Sequence, residues 1–201
     1  MEKIITCPNC KTEFDMSITP HAPEESKYIW ILDNGHGGMI DGVYQTAGKR
    51  SPVWPDGEVL YEGVFNRAVV DRLMVLCKAN NIDAVNLVDT QEDVPLSYRT
   101  DKANSIAKSS GKPCIDEIAT VLFEKAESEF PSYKMRKNTS DGDPDKEANF
   151  YVLVHTSMPA ILSENFFMTN YRECHELLMS ESGKDRIAKI HFEMIQQVEN
   201  G

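Results

Sequence analysis

Short, continuous apolar runs alternate along this chain with longer stretches in which apolar residues recur every three or four positions. The strand predicted over Tyr28–Asp33 is apolar from Tyr28 to Leu32, the pattern of a strand covered on both faces in a parallel sheet. Phe65, Val69, Leu73 and Leu76 then recur at helical spacing and predict a helix from about Tyr61 to Ala79, stopped by Asn80-Asn81. Ala84–Val88 reads as a second strand. Leu96, Arg99, Ala103, Ile106 and Ala107 mark another helix, closed by Ser109-Ser110-Gly111. Ile118, Val121, Leu122 and Ala126 predict a helix from about Asp116 to Glu129. Phe150–Val154 and Ala160–Leu162 read as strands. Asn170 with Glu173 resembles a capping box for a short helix. Ser182 with Asp185 starts the last one, which carries Ile187, Ile190, Met194 and Val198. Strands alternating with helices predict an α/β fold: one domain over residues 28–201, with a twisted, mostly parallel sheet flanked by helices on both faces.

One step in this alternation fails. After the helix that ends near Lys108, a strand is due. Lys112-Pro113-Cys114-Ile115 starts like one, yet Asp116-Glu117 opens the next helix at once. The expectation is that a core strand belongs between Cys114 and Ile115 and that the sequence lacks it.

Residues 1–27 read as a separate amino-terminal segment. Cys7-Pro8-Asn9-Cys10 is half of a zinc knuckle, with His21 the nearest further ligand and no second Cys-x-x-Cys. It is read as a small accessory knuckle, followed by a Pro-containing linker over residues 16–27. The loop from Met39 to Glu58, with Tyr44 and Trp54, is either a rim that grips a ligand or a surface loop with one buried aromatic. Residues 138–145 are a polar surface loop.

The chain has 201 residues, 41% of them hydrophobic, enough to bury a core as one domain. Its net charge of −11, with no basic cluster, opposes binding to nucleic-acid phosphate or anionic lipid. No apolar run is long enough to span a bilayer, and the amino terminus lacks the apolar region of a secretory signal, so synthesis in the cytoplasm is expected. Five scattered cysteines do not indicate a disulfide framework. A monomer is expected.

Candidate chemistry begins where the first strand ends. His36 stands among Gly35, Gly37 and Gly38, which let the backbone turn sharply and clear bulk from around the imidazole. The carboxyl end of a strand in an open α/β sheet is where ligands and metals bind. Glu62 lies in the first turn of the following helix, which a right-handed crossover brings back beside the strand. Taken alone, Glu62 fits an ordinary helix-start carboxylate. Glu164 emerges from the apolar Pro159-Ala160-Ile161-Leu162-Ser163, where a charge seldom sits without a partner or a task. His36 with a carboxylate suits zinc, which typically takes three protein ligands and one water.

Four ordered segments resemble one family, the zinc-dependent N-acetylmuramoyl-L-alanine amidases (amidase_3), phage endolysins among them. These are Ile31-Leu32-Asp33-Asn34-Gly35-His36-Gly37-Gly38; Tyr61-Glu62-Gly63-Val64-Phe65-Asn66; Leu96–Asn104 around Arg99; and Phe150–Leu153 with Met158–Asn170. Asn34 stands where a proline is common. The resemblance implies zinc on His36 and Glu62, with Glu164 as the catalytic carboxylate. It also implies bacterial peptidoglycan as substrate, reached after release from the cell. The family's third ligand is a histidine on a strand after the Arg99-type helix, and no such segment occurs here. His155, His175 and His191 are read as packing, substrate-side or solvated residues. Two other readings stay open: a non-catalytic peptidoglycan-binding module, and a zinc peptidase acting on stem peptides.

Overall fold

The computed structural model describes residues 25–112, 118–140 and 142–201, together with the backbone of two short antiparallel strands, β1 (Ile4–Thr6) and β2 (Glu13–Asp15). Cys7, Cys10, His21 and the Cys114–Ile115 junction lie outside the described residues, and so do the expectations that rest on them.

The first apolar run forms β3 (Trp30–Leu32), paired in parallel with β6 (Ala84–Asn86) in the register Trp30 to Ala84 and Leu32 to Asn86. Between them lie a hairpin, β4 (Met39–Ile40) with β5 (Val43–Tyr44), and the helix α1 (Glu62–Ala79). The hairpin lies inside the stretch expected to be loop. Asp41 and Gly42 both adopt positive φ, 48° and 78°, as a tight Asp-Gly hairpin turn requires. Next come α2 (Leu96–Ser110), ended by Gly111 at φ +66°, and α3 (Ile118–Glu129). The remainder is α4 (Tyr151–His155), α5 (Tyr171–Glu173), a π-helical turn (Cys174–Met179) and α6 (Glu181–Asn200). No helix among the described residues is long and apolar enough to cross a membrane.

Two expected strands differ. Phe150–Val154 is not a strand: Tyr151–His155 is a single helical turn against α2, with Phe150 and Val154 about half exposed. Asn104 of α2 fixes its exit, accepting from the Ser157 amide at 2.7 Å and donating to the His155 carbonyl at 3.0 Å. Ala160–Leu162 joins no ladder among the described residues. Ala160 and Leu162 are exposed, and Ile161 packs toward the core. The capping box expected at Asn170 is present, with its side-chain oxygen 3.3 Å from the Glu173 amide. The last helix starts at Glu181, and its cap is Ser180, two residues before the expected Ser182, accepting from the Gly183 amide at 2.9 Å.

The core lies where α6 crosses α1 and α3. Phe65, Val69 and Leu73 of α1 meet Ile187, Ile190 and Ile195 of α6, with Leu177 and Phe130 alongside. Glu199, 1% exposed, closes this core against the start of β3. Its carboxylate accepts from Ser26 Oγ at 2.8 Å, the Lys27 amide at 2.7 Å and Trp30 Nε1 at 2.8 Å. A buried carboxylate with three donors is satisfied, so here charge serves as an anchor. Cys77 is fully buried, and burial pushes its thiol up to about 12, leaving it inert.

Candidate active site

His36 sits four residues past the end of β3, and the turn that carries it is held from three sides. Asp33 accepts from the Gly35 amide at 3.0 Å and pairs with the buried Arg99 of α2. Arg99 also reaches Asp93 at 3.8 Å, so α2 holds the strand end. Gly35 takes φ +71°, a conformation that favours glycine. The Gly37 amide donates to Thr46 Oγ1 at 2.7 Å, and that hydroxyl donates to Asp93 at 2.7 Å.

Arg67, on the second turn of α1, is 8% exposed and was not among the residues singled out by sequence. Its guanidinium donates to the His36 carbonyl, to the Gly63 carbonyl at 3.1 Å and to the Thr90 carbonyl at 2.9 Å. Burial lowers its pKa, the nearby Arg99 adding to the effect. One cation therefore ties the His36 turn to the helix and to the loop after β6. The available signal was a charge at a core-facing position, one turn after Gly63 on the helix.

The start of α1 closes on the same turn. The Glu62 amide donates to the Lys49 carbonyl at 3.0 Å, and the Gly63 amide donates to the Tyr44 hydroxyl at 2.9 Å. Burial is the main reason that the Tyr44 pKa is raised. The result is that Glu62 Oε1 lies 3.2 Å from His36 Nε2, each side chain about a quarter exposed (25% and 28%). The hydrogen bond from His36 is the main cause that lowers the Glu62 pKa, against the opposing effect of burial. An ionised carboxylate and an imidazole nitrogen facing each other at a partly open site are a donor pair suited to zinc.

Glu164 is exposed, and among the described residues no hydrogen bond or ion pair links it to His36 or Glu62. Its neighbours are fixed on both sides. Ser163 Oγ lies 3.1 Å from His191 Nε2 of α6. Phe166 adopts φ +56° and packs its ring on Phe130 and Tyr133, with centroids 4.9 and 5.5 Å apart. A bulky residue in left-handed backbone is strained and persists only where its surroundings enforce it. Asp33 and Ser163 line one cavity of about 240 Å³ between β3, α2, α6 and residues 158–163.

The other histidines are engaged elsewhere. His155 stacks on Tyr151 at 3.9 Å. His191 donates from Nδ1 to the Ile187 carbonyl at 2.8 Å. His175 meets Asp56 and Glu58, which with it make the one group of three possible metal ligands among the described residues. Trp54 is no free rim residue: it is partly buried, edge-on to Tyr171 and His175.

Comparison with known proteins bears on the family and the fold. The family described as N-acetylmuramoyl-L-alanine amidase (Amidase_3) matches residues 116–197. An endolysin of Bacillus phage SPP1 is 25% identical over 197 residues, covering 87% of this chain and 67% of that protein. The N-acetylmuramoyl-L-alanine amidase AmiC2 of Nostoc punctiforme superposes with a TM-score of 0.57 at 20% identity, over 88% of this chain and 99% of that one. An N-acetylmuramoyl-L-alanine amidase from Clostridium difficile 630 gives 0.57 at 22% identity, over 87% and 97%. At these identities the two structures establish a shared α/β fold.

Proposed function

We propose that this protein is a zinc-dependent N-acetylmuramoyl-L-alanine amidase that cleaves the amide between N-acetylmuramic acid and the L-alanine of the stem peptide. The family match, the endolysin relative and the amidase neighbours support peptidoglycan amidase activity. The observation that carries the zinc-dependent reading is the pairing of His36 Nε2 with Glu62 Oε1 at 3.2 Å, on a turn that Arg67, Thr46 and Arg99 hold in place. The inferred sheet is twisted and mostly parallel, with β3 and β6 as its parallel pair.

His36 and Glu62 are two of the residues that would hold the metal. A zinc ion bound there supplies a Lewis acid for the lactyl carbonyl and lowers the pKa of water. The chain's own part is preorganisation and proton transfer. Glu62 is ionised at neutral pH, its pKa lowered further by the hydrogen bond from His36, and the Nε2 proton of that bond would leave when Nε2 ligates. Glu164 takes the proton of the attacking water and returns it to the departing alanine amine. Its placement rests on the Ser163–His191 bond and the packed Phe166 ring on either side.

Two measurements test the reading. Purified cell wall digested with the protein should release free alanine amino termini and leave intact lactyl-muramic acid, detected by mass spectrometry of the products. Chelation should abolish this release, and His36→Ala should fail to retain zinc while keeping its helical circular dichroism. Products cut within the stem peptide would point to a peptidase, and cell-wall binding without any product to a non-catalytic module. Full zinc content in His36→Ala would remove His36 from the site.

A further inference from the structure

A second set of metal-type donors lies away from His36. Residues 54–58 make a tight turn in which the Trp54 amide donates to the Glu58 carbonyl at 3.0 Å and the Gly57 amide to the Trp54 carbonyl at 2.9 Å. Asp56 Oδ1 accepts from the Glu58 amide at 2.9 Å, leaving Oδ2 to face His175. Opposite stands His175, presented from the π-helical turn, a form that places side chains out of ordinary helical register and recurs at functional sites. Its Nε2 is 3.2 Å from Asp56 Oδ2 and 3.8 Å from Glu58 Oε2.

An imidazole nitrogen facing two carboxylates makes this arrangement more than an acidic surface patch. His175 Nδ1 lies 2.9 Å from the Tyr171 carbonyl oxygen, which can only accept, so Nδ1 carries the proton. In the neutral ring, Nε2 then presents a lone pair. Three lone-pair atoms, all within 4.8 Å of one another, converge with no donor among them. A donor or a cation completes such a set, and a metal ion can accept from all three at once. The Nδ1–H bond to a carbonyl is also the outer contact that orients a metal-bound histidine and fixes its tautomer. Two aromatic rings wall the imidazole: Tyr171 stacks on it at 4.0 Å and Trp54 meets it edge-on at 5.4 Å.

We propose that Asp56, Glu58 and His175 form a divalent transition-metal site, distinct from His36 and Glu62. One nitrogen and two carboxylate oxygens suit zinc, cobalt or nickel better than calcium or magnesium, which favour all-oxygen shells. The exposed Asp56 and Glu58 side chains can rotate inward to the roughly 2.0–2.2 Å ligand distances such ions require. The bound ion clasps the 54–58 turn to the π-helical segment, elements 117 residues apart in the chain for Glu58 and His175 (175 − 58). It thereby braces the long loop whose far end positions Glu62.

Trp54 is the reporter. In full-length His36→Ala protein, with the first site disabled, titration with Co²⁺ should quench tryptophan emission saturably. Trp54 would supply the signal, since the chain's other tryptophan, Trp30, lies in the core beside Glu199. The double variant Asp56→Asn, Glu58→Gln in that background removes only exposed loop charges and should weaken Co²⁺ by more than about tenfold, losing a ligand being at least as costly as losing its outer support. His175→Ala should do the same. Absence of saturable quenching, or quenching unchanged in the double variant, overturns the site and leaves the cluster as an imidazolium–carboxylate pair. Because the test is run without His36, it stands whether or not the amidase reading does.

Discussion

A β-carbon on Gly63 would lie 1.9 Å from the carbonyl oxygen of Gly37. The first turn of α1 therefore approaches the His36 turn more closely than any side chain permits. That approach is what brings Glu62 to 3.2 Å from His36.

Gly63→Ala should consequently damage the site more than the fold. The obstructing atom is backbone, so either the helix start or the turn must move. Overpacking of this kind typically costs about 1–3 kcal/mol. Melting temperature should fall by the corresponding several degrees while zinc retention and cell-wall hydrolysis fall sharply. Retention of wild-type zinc content by Gly63→Ala would show that the close approach is not what assembles the pair.

Much of this was readable in the sequence because it depends on local pattern. The apolar run at Ile31-Leu32, the period of Phe65, Val69 and Leu73, and the Asn170–Glu173 cap each belong to one element, and each appears nearly where the pattern puts it. Contacts across elements were not readable. Arg67 looks like one more helix charge until the fold places the His36 carbonyl beside it. His175 and Asp56 are 119 positions apart, and no periodicity links them. The Phe150 run misleads because β-rich composition decides nothing without a neighbouring strand to complete the ladder.

Among the described residues β3 pairs on one side only, with β6. Beside it lies the cavity of about 240 Å³, walled by Ile29 and Ile31, by Ile161 opposite, and by Lys112 and Ile118. The cavity is an open cleft, lined by Asp33, Arg99 and Lys112 as well as by apolar side chains. The strand that the alternation of elements lacks after α2 predicts that the gene encodes a further strand between Cys114 and Ile115. Intact mass of the native product should exceed 22.7 kDa, and a mass equal to it would refute the added strand.

His191 makes acid stability a readout of the segment that carries Glu164. Burial lowers its pKa below the ordinary value near 6.5, so the folded state favours the neutral ring that bonds Ser163. The unfolded chain binds that proton more readily. The contribution is therefore complete above about pH 6.5 and is lost as pH falls through the lower, folded-state value. His191→Gln lacks this dependence. Its melting temperature should lie below wild type at pH 7.5, with the gap narrowing toward pH 5. A gap that stays constant across this range would show that His191 does not titrate with folding.

Glu164→Gln separates the proton shuttle from the metal ligand. Glutamine keeps the volume and a hydrogen-bonding head but has no basic oxygen to accept a proton. General acid–base help is worth roughly 10²–10⁴ in rate, so hydrolysis of purified cell wall should fall by about that factor. Zinc content should not change, because no contact joins Glu164 to His36 or Glu62, and melting temperature should hold because the side chain is exposed. Glu62→Gln gives the contrasting result. Removing the ionised partner of His36 should weaken zinc retention together with turnover. The pair of variants thus distinguishes a lost ligand from a lost base by metal analysis alone. Near wild-type hydrolysis by Glu164→Gln would exclude Glu164 as the base, and an equal loss of zinc in both variants would make it a ligand instead.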